Sequence, residues 1–270
     1  MGIFSKIIFF CLFLTSCTSL IYQPDKYMYA HPDQFKIKFE AFTILSRDGT
    51  KLSAWRLFSK NLNPKNILVY FHGNAQNLTS HFVNAGWLTE NGYDVIIFDY
   101  RGYGVSEGEP NPKGVSEDGL AFLDYTYQEY KKGNFKKLIV YAQSLGGAVA
   151  LKSLEDFSHR DEISLLVLDS TFLSPREVAR EKTNRVLAML FSNDYTADPK
   201  LAHLTMPVLS IHSTEDYVIA YKLGQDLHQK IPATTKKDLW TFNARGHGDV
   251  FFVENQKYRH LFLDYVNHLY

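Results

Sequence analysis

The sequence predicts an α/β protein built on one mostly parallel sheet, and three observations carry that expectation. Short apolar runs alternate with amphipathic stretches from residue 33 to the end of the chain. Several of those runs are near-continuous Val, Ile and Leu, the pattern of strands buried on both faces. The first two runs, Phe39–Leu45 and 52–58, flank Arg47-Asp48-Gly49-Thr50, which reads as an antiparallel hairpin with an Asp-Gly turn. Further strands are expected at 67–71, 95–98, 138–141, 165–168, 208–211 and 239–242, eight in all. Helical patterns lie between and after them, around 80–91, 114–131, 145–157, 221–231 and 249–270. Alternation of this kind implies right-handed crossovers with helices on both faces of a single sheet. One stretch breaks the alternation: 172–205, between the sixth and seventh strands, reads as a small helical insertion. No repeat or linker divides residues 33–270, which form one domain.

Composition narrows the function classes. Lys plus Arg and Asp plus Glu are both 29, and no basic cluster overrides the balance, so nucleic acid is not an expected partner. The two cysteines, Cys11 and Cys17, both lie near the start of the chain. The domain therefore holds no disulfide framework, no thiolate metal site and no thiol nucleophile. Gly102-Tyr103-Gly104-Val105-Ser106-Glu107-Gly108 follows a strand and imitates a dinucleotide loop. That loop must open a helix at once, and here Glu109-Pro110-Asn111-Pro112 intervenes, so a nucleotide is not expected.

The first residues read as an address. Lys6 precedes an apolar run at 7–14, far shorter than the ~20 residues a membrane span needs. Leu14-Thr15-Ser16-Cys17 follows, and this end resembles the lipobox of bacterial lipoproteins. The resemblance implies that residues 1–16 are a signal peptide, that Cys17 is lipidated and becomes the first mature residue, and that the protein is exported and membrane-anchored. Residues 17–32 lack clear periodicity and are expected to be a tether.

Chemistry-bearing residues gather at strand ends. The fifth strand runs into Ala142-Gln143-Ser144-Leu145-Gly146-Gly147 and then a helix. Small residues two before and two after Ser144 suit a tight strand-to-helix turn that lifts a serine above the sheet. The helix start adds a positive dipole end and free N–H groups, both useful to an oxyanion. The third strand ends in His72-Gly73-Asn74. The seventh ends in His212-Ser213-Thr214-Glu215-Asp216, with Glu215 an ordinary carboxylate beside Asp216. After the eighth comes Gly246-His247-Gly248-Asp249, whose glycines let the loop carry an imidazole over the turn. Of ten histidines, His247 alone follows the last strand in such a loop. His212 reads as a packed histidine and His72 as an orienter of its loop. Asp249 bonds locally or caps the last helix.

Together these pieces resemble the α/β-hydrolase superfamily over nearly the whole domain. The strings FHGNAQN, DYRGYGVSEGEP and HGD are similar to its small-cap members: acyl-protein thioesterases, lysophospholipases and serine aminopeptidases. The resemblance implies an eight-stranded α/β-hydrolase fold with 172–205 as a short cap. It makes Ser144 the nucleophile, His247 the base and Asp216 the acid that orients it, in the order Ser, Asp, His. Asp169, closing the sixth strand, occupies the position that holds the acid in some relatives. The N–H groups of Asn74 and Leu145 become the oxyanion donors. Two departures stand out: Ala142 replaces the first glycine of the serine motif, and Ala220 replaces a proline after Asp216. The implied reaction is hydrolysis of a carboxylic ester or thioester on a lipid-like or acyl substrate, with no metal or organic cofactor. The alternatives are a peptidase acting on short peptides and an inactive membrane-tethered binding module.

Overall fold

The computed structural model describes residues 21–183, 188 and 196–269. Its main sheet has eight strands: β1 (Phe39–Leu45), β2 (Lys51–Leu57), β3 (Asn66–Phe71), β4 (Tyr93–Phe98), β5 (Lys137–Gln143), β6 (Leu165–Asp169), β7 (Val208–Ser213) and β8 (Lys237–Phe242). Their order is β8-β7-β6-β5-β3-β4-β2-β1. β2 runs antiparallel to both β1 and β4, and every other pairing is parallel. This is the α/β-hydrolase arrangement that the sequence predicts.

Period-2 alternation splits β3 between two cores. Ile67, Val69 and Phe71 pack on one face with helices α1 (Pro112–Lys132) and α2 (Leu145–Asp156). Leu68 and Tyr70 pack on the other with the last helix, Lys257–Asn267. Cover on both faces is why the central strands read as unbroken apolar runs. The parallel register also aligns the carboxyl ends. Gln143 lies beside Asp169, Asp169 beside Ile211, and Ser213 beside Phe242. The loops leaving those ends share one rim, and the candidate site stands there.

Three expectations need correction. Residues 80–91 do not make one helix; Leu78–His81, Val83–Gly86 and the 3-10 turn Trp87–Asn91 follow one another. Asn77 caps the first by accepting the Thr79 N–H at 2.9 Å, and the weak helix formers Thr, Ser, His, Val and Gly do not sustain a longer run. The last helix begins at Lys257, not near 249, because residues 249–256 fold as turns and Asp249 is engaged with the His247 loop. Asp249 thus bonds locally and does not cap that helix.

The third correction concerns the tether. Ile21 and Tyr22 are buried in the core. Gln23–Pro24 pairs in parallel with Ala75–Gln76, the residues directly after Asn74. The Gly104 N–H donates to the Asp25 carbonyl at 2.9 Å, and Asn77 Nδ2 to the Tyr27 carbonyl at 2.8 Å. Lack of periodicity signals an irregular segment, and apolar side chains with a nearby strand edge have docked it. Cys17 lies outside the described residues. Of the insertion 172–205, the described part holds α3 (Pro175–Lys182), with Ser174 accepting the Glu177 N–H at 3.2 Å. Residues 184–187 and 189–195 lie outside the described residues.

The loop that imitates a dinucleotide motif has a structural task. Arg101 is buried and bonds both oxygens of the buried Asp118 on α1, at 2.7 Å from Nη2 and 3.0 Å from Nε. Its Nη1 reaches Asp48 Oδ2 in the hairpin turn at 2.8 Å. Arg101 thereby ties the β1–β2 turn to α1. Arg101→Ala strands the Asp118 charge in the core and is expected to cost about 3–5 kcal/mol in urea unfolding. The Arg101→Ala/Asp118→Ala pair should cost less than the sum of its single changes. Additive costs would refute the pairing as the source.

Candidate active site

Ser144 sits between β5 and α2 with φ 52° and ψ −120°, a conformation a non-glycine residue adopts only when held there. Its N–H donates to the Asp169 carbonyl at 2.9 Å, and its carbonyl accepts from Thr171 Oγ1 at 2.6 Å. A Cβ on Gly146 would stand 2.3 Å from the Phe71 carbonyl oxygen and 2.5 Å from that of His72, so no larger residue fits two positions after the serine. Ala142 is fully buried between Phe71 and Leu168, and its methyl is accommodated.

Asp216 stands in the loop after β7. Its Oδ1 accepts the N–H groups of Val218 and Ile219 at 2.8 and 2.9 Å. Its Oδ2 accepts His247 Nδ1 at 2.8 Å and lies 3.4 Å from His212 Nε2. Burial pushes this carboxyl up, but the hydrogen bonds from His212 and His247, the charge of His247 and the Ile219 N–H together hold it well below the usual carboxylate range. A carboxylate partner places a proton on His247 Nδ1, so Nε2 carries the lone pair. His212 has a second role besides packing: its Nε2 bonds the Ile219 carbonyl at 3.0 Å and buttresses the Asp216 loop.

The competing acid, Asp169, is fully buried and otherwise occupied. Its Oδ2 accepts from Tyr141 OH at 2.5 Å and its Oδ1 from Ser170 Oγ at 3.1 Å. Burial raises its carboxyl. Among the hydrogen bonds of the described residues, none joins Asp169 to His247. Glu215 takes no part in the pairing either. Asp249 Oδ2 accepts the His247 N–H at 3.1 Å and leaves the imidazole alone.

Ser144, His247, Asn74 and Leu145 all line one cleft of about 690 Å³. Among the described residues no hydrogen bond joins Ser144 to His247, although both line the same cleft. Leu145 is the first residue of α2, where the N–H has no partner within the helix. Asn74 is anchored through its side chain, whose Oδ1 accepts from Tyr103 OH at 2.9 Å and from the Gln23 N–H at 3.1 Å. His72 is buried outside the cleft, its Nδ1 donating to the Gly73 carbonyl at 2.7 Å, as expected of a loop orienter.

Several contributors carry no local sequence signal. His81 also lines the cleft, but its Nε2 bonds the Ala75 carbonyl at 2.9 Å and, among the described residues, no carboxylate pairs with it. Gln143 accepts from Tyr70 OH at 2.5 Å and donates to the Gly248 carbonyl at 3.2 Å. The Gly248 N–H donates in turn to Ser170 Oγ at 3.2 Å. A Cβ on Gly248, whose φ is 70°, would lie 1.6 Å from Gln143 Nε2, so glycine is required there. The residue preceding Ser144 therefore locks the His247 loop onto the serine turn.

Fold and site together define an α/β hydrolase. Residues 62–196 match the family described as serine aminopeptidase, S33. The chain is 30% identical over 236 residues to uncharacterized protein YfhR of Salmonella typhimurium, covering 82% of this chain and 79% of that one. It is also 30% identical over 216 residues to lysophosphatidylserine lipase ABHD12 of Danio rerio, covering 73% of this chain and 54% of that one. The structure superposes on esterase Pf2001 of Pyrococcus furiosus with a TM-score of 0.72 at 20% identity, covering 92% of this chain and 97% of that one. This chain belongs to the α/β-hydrolase superfamily and, within it, to the serine aminopeptidase S33 family.

Proposed function

We propose that this protein is a serine esterase or thioesterase acting on acyl, lipid-like substrates. His247 Nε2 takes the Ser144 hydroxyl proton as Oγ attacks the substrate carbonyl carbon. The N–H groups of Asn74 and Leu145 receive the oxyanion. The tetrahedral species expels the leaving group, which takes its proton from His247, and water cleaves the acyl-enzyme by the same route. Asp216 keeps the imidazole in the required tautomer throughout.

The carrying observation is the pairing of a strained Ser144 with a His247–Asp216 couple at one largely apolar cleft, lined by Ile21, Phe172, Val178 and Ile219. A cleft of that kind suits an acyl chain. An aminopeptidase must also hold a free ammonium. The one carboxylate among the described lining residues is Asp249, and it already serves the His247 N–H. The lipase name of one relative fits the same reading. Export and lipidation at Cys17 complete the proposal, since the implied diacylglyceryl group anchors firmly where one chain is marginal.

A fluorophosphonate probe should label Ser144. In a series of soluble esters kcat/KM should rise with acyl length, by up to about fourfold per methylene while the chain stays in the cleft. Faster turnover of short peptides than of any ester would overturn the substrate class.

A further inference from the structure

We infer that the face formed by residues 21–29 and the cleft mouth rests on the bilayer, so that Ser144 is loaded with acyl substrate from the membrane. The inference rests on the acyl-ester reading and on lipidation of Cys17. Its starting point is the docking of the segment expected to be a loose tether. Ile21 and Gln23 line the cleft itself. The Gln23 N–H bonds the Asn74 side chain at 3.1 Å, and the Gln23–Pro24 pairing runs along the residues that follow Asn74. The segment is further held by bonds from Gly104 to the Asp25 carbonyl and from Asn77 to the carbonyls of Asp25 and Tyr27.

Chain geometry then restricts the anchor. Cys17 precedes Ile21 by four residues, which span at most about 14 Å fully extended. Acyl chains on Cys17 must lie in hydrocarbon, so a wall of the cleft sits within that reach of the membrane interface. A flexible tether would permit any orientation, whereas a docked one does not.

The surface beside this segment has the matching chemistry. Tyr27 is 68% exposed, Met28 54% and Val105 79%, although all are large apolar residues. Val105 follows Gly104, the residue bonded to Asp25, in the loop leaving the carboxyl end of β4. That is the rim of the sheet on which Ser144 stands. Tyrosine rings favour the headgroup level, with an apolar body and a polar tip. The occupant these features fit is the lipid surface to which Cys17 is attached.

The test uses the full lipoprotein in vesicles of phosphatidylethanolamine and phosphatidylglycerol. Its substrates are a long-chain monoacylglycerol in the same vesicles and p-nitrophenyl butyrate in solution. The Tyr27→Ser/Met28→Ser/Val105→Ser variant should lose about tenfold or more on the vesicle substrate, with the soluble ester turned over as by wild type. Leu62→Ser, which precedes the opposite end of β3 and is 98% exposed, should change neither. Brominated lipids should quench the fluorescence of Tyr27→Trp and not that of Leu62→Trp, a readout independent of catalysis. Equal quenching of both, no loss on the vesicle substrate, or a dimer dissolved by the triple variant overturns the docking face. So does an unlipidated Cys17 by mass spectrometry, with Cys17→Ser as its reference. If wild type hydrolyses neither ester while Tyr27→Trp is quenched, the esterase reading falls and the loading step with it, but the docking face stands.

Discussion

Ser144→Ala is expected to lower kcat by about 10⁴–10⁶ while leaving the protein folded. The size follows from the proposed chemistry: without Oγ no acyl-enzyme can form, and only binding and the proposed oxyanion donors remain to assist direct attack by water. Folding should survive because the contacts that hold this turn use the backbone of residue 144. Its N–H bonds the Asp169 carbonyl and its carbonyl accepts from Thr171, and alanine keeps both. Circular dichroism with urea unfolding should match wild type, while turnover of a short soluble ester and fluorophosphonate labelling both vanish. A folded Ser144→Ala protein with turnover near that of wild type would remove Ser144 from the mechanism.

The second large effect is expected at Asp216. Asp216→Asn presents an amide where His247 Nδ1 now donates to a carboxylate, which favours the wrong tautomer and takes the lone pair from Nε2. The expected fall in kcat is about 10⁴, with KM little changed. Asp169→Asn and Glu215→Gln should leave most activity, because neither side chain bonds His247. The charge states separate the two buried acids. The folded Asp216 carboxyl lies below its unfolded value, so its stabilisation is present above the unfolded pKa of ~3.9 and is lost only as pH falls through the lower folded value. Asp216 therefore stays ionised across any acid limb of activity above about pH 4. Asp169 has the opposite sign. Its folded value lies above its unfolded one, so its stabilisation is lost as pH rises through the folded value. A severe kinetic loss at Asp169→Asn with a mild one at Asp216→Asn would reverse the assignment.

Much of this site is legible in the sequence because each principal side chain sits just beyond a strong strand pattern. Apolar runs announce β3, β5, β7 and β8, and Asn74, Ser144, Asp216 and His247 follow within a few residues of their ends. Glycine, too, is readable where it has a steric cause, as at Gly146 against the Phe71 and His72 carbonyls. Apolar spacing over 80–91 resembles that of one helix, whereas the Asn77 cap and Gly86 break the segment into short turns.

Local pattern and residue type thus determine the fold class, the strand order's antiparallel start, and which residues stand at the rim that carries the candidate site. They do so because periodicity and turn chemistry act over a few neighbouring residues. Local pattern alone does not choose between Asp216 and Asp169, since one stands just beyond a strand end and the other closes a strand, and only the packed structure shows Tyr141 and Ser170 occupying Asp169 and His247 occupying Asp216. The same holds for Gln143 bracing the His247 loop and for residues 21–29 lying against the Asn74 loop. Gln143 and Gly248 are 105 positions apart and Gln23 and Asn74 are 51 apart. Contacts over such separations leave no periodic trace in the chain; they arise only when the sheet brings its rim together.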